Sequence, residues 1–201
     1  MPKKIIYSLL LSMVLYGCYT SKPLSREVKV FINANYSIQI EKDPKGHFVD
    51  YYTKEQYKQF FYEALIKQLN YNKISVDAGN PEYIIDIENV IIVEKLTTDT
   101  VKDAQSKDKG KVYDITIAEV KSVGKIRKTD NSQNDSWSAE KSKREKLTNL
   151  QTAGQVVTGQ NSGAHDWRKK AFDSNEYLEL TSSLGNRTGD VISKRLSRWI
   201  K

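Results

Sequence analysis

The chain has 201 residues, 38% hydrophobic and 28% charged, with 10 Gly, 4 Pro and a formal net charge of +7. Those values exclude collagen-like, wholly disordered and polytopic membrane chains, and fit one ordinary domain with a tail. A single cysteine excludes an intrachain disulfide framework and a Cys-rich zinc site, and two histidines, His47 and His165, offer little to a His-based metal or catalytic centre.

The first element is a leader. Lys3 and Lys4 precede an apolar run from Ile5 to Tyr16. About a dozen residues are too few to span ~30 Å of hydrocarbon, which takes ~20. A basic start, a short apolar core and a small residue at its end form a secretory signal. The run closes on Leu15-Tyr16-Gly17-Cys18, which resembles the lipobox of bacterial lipoproteins, with Tyr16 where a small residue is usual. The resemblance implies cleavage between Gly17 and Cys18, diacylglycerol on the Cys18 sulfur, and a fatty acid such as palmitate on the new amino terminus. One buried chain binds a bilayer marginally and two or three bind stably, at about 0.8 kcal/mol per methylene.

Cleavage removes Lys3 and Lys4 and no acidic residue, which lowers the charge from +7 to +5. That excess suits contact with anionic lipid or glycolipid headgroups, and solubility explains it equally well. Nucleic acid is not an expected partner of an exported, tethered protein. By resemblance to proteobacterial sorting, the lack of an acidic residue directly after Cys18 favours an outer-membrane anchor facing the periplasm. The expected organisation is a signal at 1–17, a polar tether at 18–26, and one domain at 27–201.

Within that domain, residues 27–41 alternate in part and predict one or two short strands, weakened at Asn33-Ala34-Asn35. Asp43-Pro44-Lys45-Gly46 predicts a turn. Thr53 and Gln56 fit a capping box, and Tyr57, Phe60, Phe61, Ala64, Leu65 and Leu69 form the apolar stripe of a helix. Residues 73–76 read as a short strand. Residues 83–93 form the strongest strand pattern, with a change of phase after Asn89 that suggests a bulge or a strand leaving the sheet. Residues 112–123 alternate similarly, so the two runs predict a hairpin with a polar connection at 97–110.

From Lys128 the pattern fades, and a polar insertion is expected at about 128–165, with the charge run 141–146 as a solvated face. Residues 146–150 favour a further strand over a poor helix, and 151–163 read as loop. Deletion of 131–163 is therefore expected to leave the domain folded. Asp173 and Glu176 suggest the capped start of a closing helix, with an apolar stripe from Tyr177 to Trp199. Gly185 and Gly189 share one face of it and either admit a close neighbour or mark a kink. Lys194, Arg195, Arg198 and Lys201 complement its dipole.

No phosphate loop, dinucleotide fingerprint, nucleophile elbow or zincin motif occurs. Asp86 and Glu88 lie on one strand as cross-strand pairing residues would. The expectation is no catalytic residue, no cofactor, no metal, and no enzyme.

The order of elements predicts an α/β domain of the α+β type: a mainly antiparallel sheet with two helices packed on one face. The helix at 53–70, the strand Ile74-Ser75-Val76 and the run from Pro81 to Ile87 resemble small α/β envelope lipoproteins. Examples are the LPS-assembly lipoprotein, the TolB amino-terminal domain and the curli-secretion lipoprotein. The resemblance implies a non-catalytic accessory of an outer-membrane assembly or transport complex, with a protein partner in the envelope. The alternative is a tethered binding module for a glycan, lipid or exported peptide, which a pocket lined by Tyr51, Tyr52 or Tyr71 would favour.

Overall fold

The computed structural model describes residues 22–46, 48–102, 108–145, 147–149, 167–169 and 174–200. The fold class is the expected one: a six-stranded mixed sheet carries two helices on one face. Strand β1 (Val28–Asn33) and strand β2 (Ser37–Lys42) both pair in parallel with the first and second halves of β4 (Tyr83–Thr100). Strand β3 (Ile74–Val76) adds in parallel to β1, and β5 (Val112–Lys128) and β6 (Asn134–Arg144) continue the sheet antiparallel. A separate pair joins β7 (Leu147–Asn149) to β8 (Trp167–Lys169).

Asn33-Ala34-Asn35 separates β1 from β2, as the interruption in alternation predicts. The turn at 43–46 closes with Gly46 N–H donating to the Asp43 carbonyl at 2.8 Å. A single 3₁₀ turn (Phe48–Tyr51) follows, and Glu94 on β4, 1% exposed, accepts from Phe48 and Val49 N–H at 3.2 and 3.1 Å. This carboxylate occupies an inward strand position because those peptide donors satisfy it.

Helix α1 (Lys54–Tyr71) starts at the predicted capping box: Thr53 Oγ1 accepts from Gln56 N–H, and Gln56 Oε1 accepts from Thr53 N–H. Thr53→Ala removes the first of these bonds, and thermal melting should show a loss of about 1 kcal/mol. Tyr57, Phe61, Leu65 and Leu69 of the predicted stripe are buried against the sheet. Tyr57 Oη donates to the Val49 carbonyl at 2.9 Å, and burial pushes its phenol pKa up.

The bulge falls where the change of phase places it. Ile87 pairs with Gly124 and Asn89 with Val123, so Glu88 is the extra residue. After it, Val90 and Ile92 return to the core side as Tyr83, Ile85 and Ile87 did before it. The predicted hairpin of β4 and β5 forms. Its strands run further than expected, and the connection shortens to 101–111.

The loss of order expected from Lys128 does not hold for 134–144, which form β6. Only Trp137 and Ala139 of that strand are buried; Asp135 and Lys143, in the same phase, are half-buried and pair with Arg195 and Glu176 of the closing helix, and the others are exposed. The Lys141–Arg144 part of the charge run therefore lies on an edge strand, where charge blocks further pairing. The strand predicted at 146–150 is present as β7. Residues 151–163 lie outside the described residues.

Helix α2 (Ser174–Trp199) packs on α1, β5 and β6. Gly185 and Gly189 admit the close neighbour, which is α1. A Cβ on Gly185 would lie 2.3 Å from the Phe61 carbonyl oxygen, and one on Gly189 would lie 2.9 Å from Gln68 Cβ. The buried Thr188 hydroxyl donates to the Leu184 carbonyl at 2.9 Å and meets Ser122 Oγ of β5 at 2.7 Å. The Trp199 ring stacks on Tyr83 at 5.8 Å, which ties the end of α2 to the start of β4.

Candidate functional site

Gly17 and Cys18 lie outside the described residues, as do His47 and His165. The chain is first described at Lys22, within the segment 18–26 expected as a tether. Leu24 is 4% exposed, and its N–H donates to the carbonyl of Asn72 at the end of α1. Val28 then enters the sheet by donating to the carbonyl of Lys73, itself at φ 61°. The tether therefore packs at the end of the molecule that holds the starts of β1 and β4 and the carboxyl end of α2.

The opposite end is the hairpin. β2 stops pairing at Glu94 and β6 at Ile117, so 96–100 and 112–116 pair with each other beyond the rest of the sheet; Glu145 closes on Thr116, and Val101, Ile115 and Thr116 are buried there. At ~3.3 Å per residue, β4 extends over roughly 55 Å between the two ends. Val112, near the hairpin tip, is 60% exposed.

Between tether and α2 lies a groove of about 600 Å³. Lys22, Arg187 and Lys194 bring three cations to it, and Leu24, Val191 and Ile200 give it apolar walls. The one carboxylate there among the described residues, Asp190, accepts from Gln68 Nε2 at 2.8 Å and Asn72 Nδ2 at 3.4 Å. Among the described residues, Lys22, Arg187 and Lys194 have no carboxylate partner. Nearby cations outside the groove do: Arg26 meets Glu82 at 2.6 Å, Lys29 meets Asp77 at 2.9 Å, and Arg195 meets Asp135 at 2.8 Å. The Arg26 and Lys29 contacts hold the Glu82 and Asp77 carboxyls below their ordinary pKa range. Ser193, in the groove wall, is 1% exposed, and its Oγ has no hydrogen-bond partner among the described residues.

A second groove, of about 750 Å³, opens on the uncovered face of the sheet. Ile91 and Val93 form its floor, and Glu41, Glu119 and Glu140 balance Lys95, Lys121 and Lys141. Charges elsewhere on this face also pair across strands, Lys125 with Glu88 at 2.9 Å and Arg127 with Asp86 at 3.4 Å, the role expected of those carboxylates. Neither groove is lined by Tyr51, Tyr52 or Tyr71. Tyr52 packs edge-on against Tyr57 and Phe60.

Among the described residues, no group of three or more His, Cys, Asp or Glu side chains is placed to hold a metal ion, and no helix is long and apolar enough to cross a membrane. The sequence reading missed the cationic groove, because 22–25 read as tether and Lys194 as a partner of the helix dipole.

No family model and no curated protein matches the chain. Solved structures are similar in outline. A neuraminyllactose-binding hemagglutinin homolog from Helicobacter pylori is 12% identical, with a TM-score of 0.47, covering 90% of this chain and 91% of that one. A minor lipoprotein from Acinetobacter baumannii is 9% identical, with a TM-score of 0.33, covering 80% and 91%. A PelC dodecamer subunit from Paraburkholderia phytofirmans is 12% identical, with a TM-score of 0.30, covering 84% and 92%. These scores and identities carry no conclusion about function.

Proposed function

We propose that the protein is a lipid-anchored, non-catalytic lipoprotein of the bacterial envelope, an accessory of an outer-membrane assembly or transport complex. The observation that carries this reading is the polarity of the fold. The segment that follows Cys18 packs at one end of the sheet, and the far end of the β4–β5 hairpin, with Val112 exposed, forms the other. Four residues of chain reach at most about 14 Å, so an acylated Cys18 keeps the tether end close to the bilayer. The far end of the hairpin then points away from the membrane, where a protein partner is within reach. The uncovered sheet face supports the same role: it is half-apolar, and its groove is charge-balanced.

Cys18→Ser is expected to abolish fatty-acid labelling and leave a precursor with its leader attached. Metabolic labelling with palmitate checks this, and normal processing of the variant would refute the anchor. The accessory role is tested by a photo-crosslinker at Val112 in the lipidated chain. The expected product is an adduct with an outer-membrane assembly or transport component. Adducts with lipid alone would overturn the role. A second reading, a tethered module that binds lipid or glycan, is favoured by one observation, the cationic groove beside the tether.

A further inference from the structure

We infer that the groove between the tether and α2 is a binding site for the phosphate of an anionic glycerophospholipid headgroup. Three features converge there. Lys22, Arg187 and Lys194 face one cavity without a carboxylate partner among the described residues, whereas Arg26, Lys29 and Arg195 are each paired. An anion in the groove supplies the missing counter-charge, and hydrogen bonds between ionised groups are the strong kind. The groove's sole carboxylate among the described residues, Asp190, is engaged by two side-chain amides, so it opposes an incoming anion less than its charge suggests.

The second feature is Ser193. A helical serine ordinarily donates back to the carbonyl four residues earlier, as Thr188 does to Leu184. Ser193 does not, and its buried Oγ is without a partner among the described residues. An orphaned buried hydroxyl is destabilising, and a phosphate oxygen accepting from it would relieve that.

The third feature is the wall. Leu24, Val191 and Ile200 offer apolar surface beside the cations, which suits a headgroup with glycerol and acyl carbons attached and gives nothing to a bare ion. The open-face groove, with three carboxylates against three ammonium groups, lacks this selectivity. The choice of a bilayer as the source of the phosphate rests on the anchored reading; the anion-binding chemistry of the groove does not.

The test uses the full chain, purified from membranes in neutral detergent and titrated calorimetrically with three probes: dihexanoylphosphatidylglycerol, dihexanoylphosphatidylcholine and inorganic phosphate. The phosphatidylglycerol should bind at least about tenfold more tightly than either of the others, and Arg187→Gln and Lys194→Gln should each weaken it about tenfold. Ser193→Ala should weaken binding while the melting temperature stays or rises, a combination that a purely structural serine would not give. Lys121→Gln, in the opposite groove, should change nothing. Equal binding of the two lipids, or equal losses in Lys121→Gln and Lys194→Gln, would overturn the site. Phosphate binding as tight as the lipid would overturn the headgroup assignment. Intact mass on the same sample separates the two readings. An acylated chain that fails to bind sinks the groove alone, and an unacylated chain that binds sustains the groove and sinks the anchor.

Discussion

Trp137→Ala should lower the unfolding free energy by about 3–5 kcal/mol, a large share of the ~5–15 kcal/mol that holds a domain together. Trp137 lies on β6, is 3% exposed and pairs with Gly124 of β5. The fit there is close: a Cβ on Gly124 would lie 2.4 Å from Trp137 Cζ2 and 2.1 Å from the Asp86 carbonyl oxygen. The bulge on β4 and the absent side chain at 124 together make the space that the indole fills. Its Nε1–H has no hydrogen-bond partner among the described residues, so Trp137→Phe, which keeps a ring and removes the donor, should cost much less than alanine. Urea denaturation measures both. A loss under about 1 kcal/mol for the alanine variant would mean that β6 is dispensable. The same packing bears on deletion of 131–163, which removes all of β6 together with β7 and should abolish cooperative melting.

Gly185→Leu should destabilise by about 3 kcal/mol or more, because the backbone of α1 stands where the side chain must go. Besides the Phe61 carbonyl oxygen at 2.3 Å, a Cβ there would meet Ala64 Cβ at 2.9 Å and Leu65 N at 3.0 Å. Gly185→Ala gives the sharper sign. Helix propensity alone favours alanine by roughly 1 kcal/mol, so a net loss on thermal melting isolates the interhelical contact. A net gain would show that the helices separate at little cost. The contact also bears on the proposed headgroup site, since the groove cations Arg187 and Lys194 are positioned by the same helix.

Features written within a few residues of one another were legible in the sequence. Thr53 and Gln56 set the start of α1, the change of phase after Asn89 set the bulge, and Gly185 with Gly189 announced a close neighbour. Strand β6 was hidden because an edge strand with one face in solvent needs few apolar residues. Its inward residues are Trp137 and Ala139, and its charges read as a solvated run. The parallel pairing of β1 and β2 with β4 was also hidden, since alternation marks a strand's faces and not its partner. The groove is non-local: Lys22 and Leu24 meet Arg187, Ser193 and Lys194 across most of the chain, and each run has a sufficient local explanation. The burial of Glu94 is non-local too, because its peptide donors lie in the turn at 48–49. The proposed anchor is the reverse case: the expectation at Cys18 rests on four adjacent residues and lies outside the described ones.

The most direct test is the intact mass of the native protein extracted from bacterial membranes. A chain that begins at Cys18 and carries the added mass of diacylglycerol and a further acyl group is the predicted result. A 201-residue chain recovered from the soluble fraction at its unmodified 23.1 kDa would contradict it.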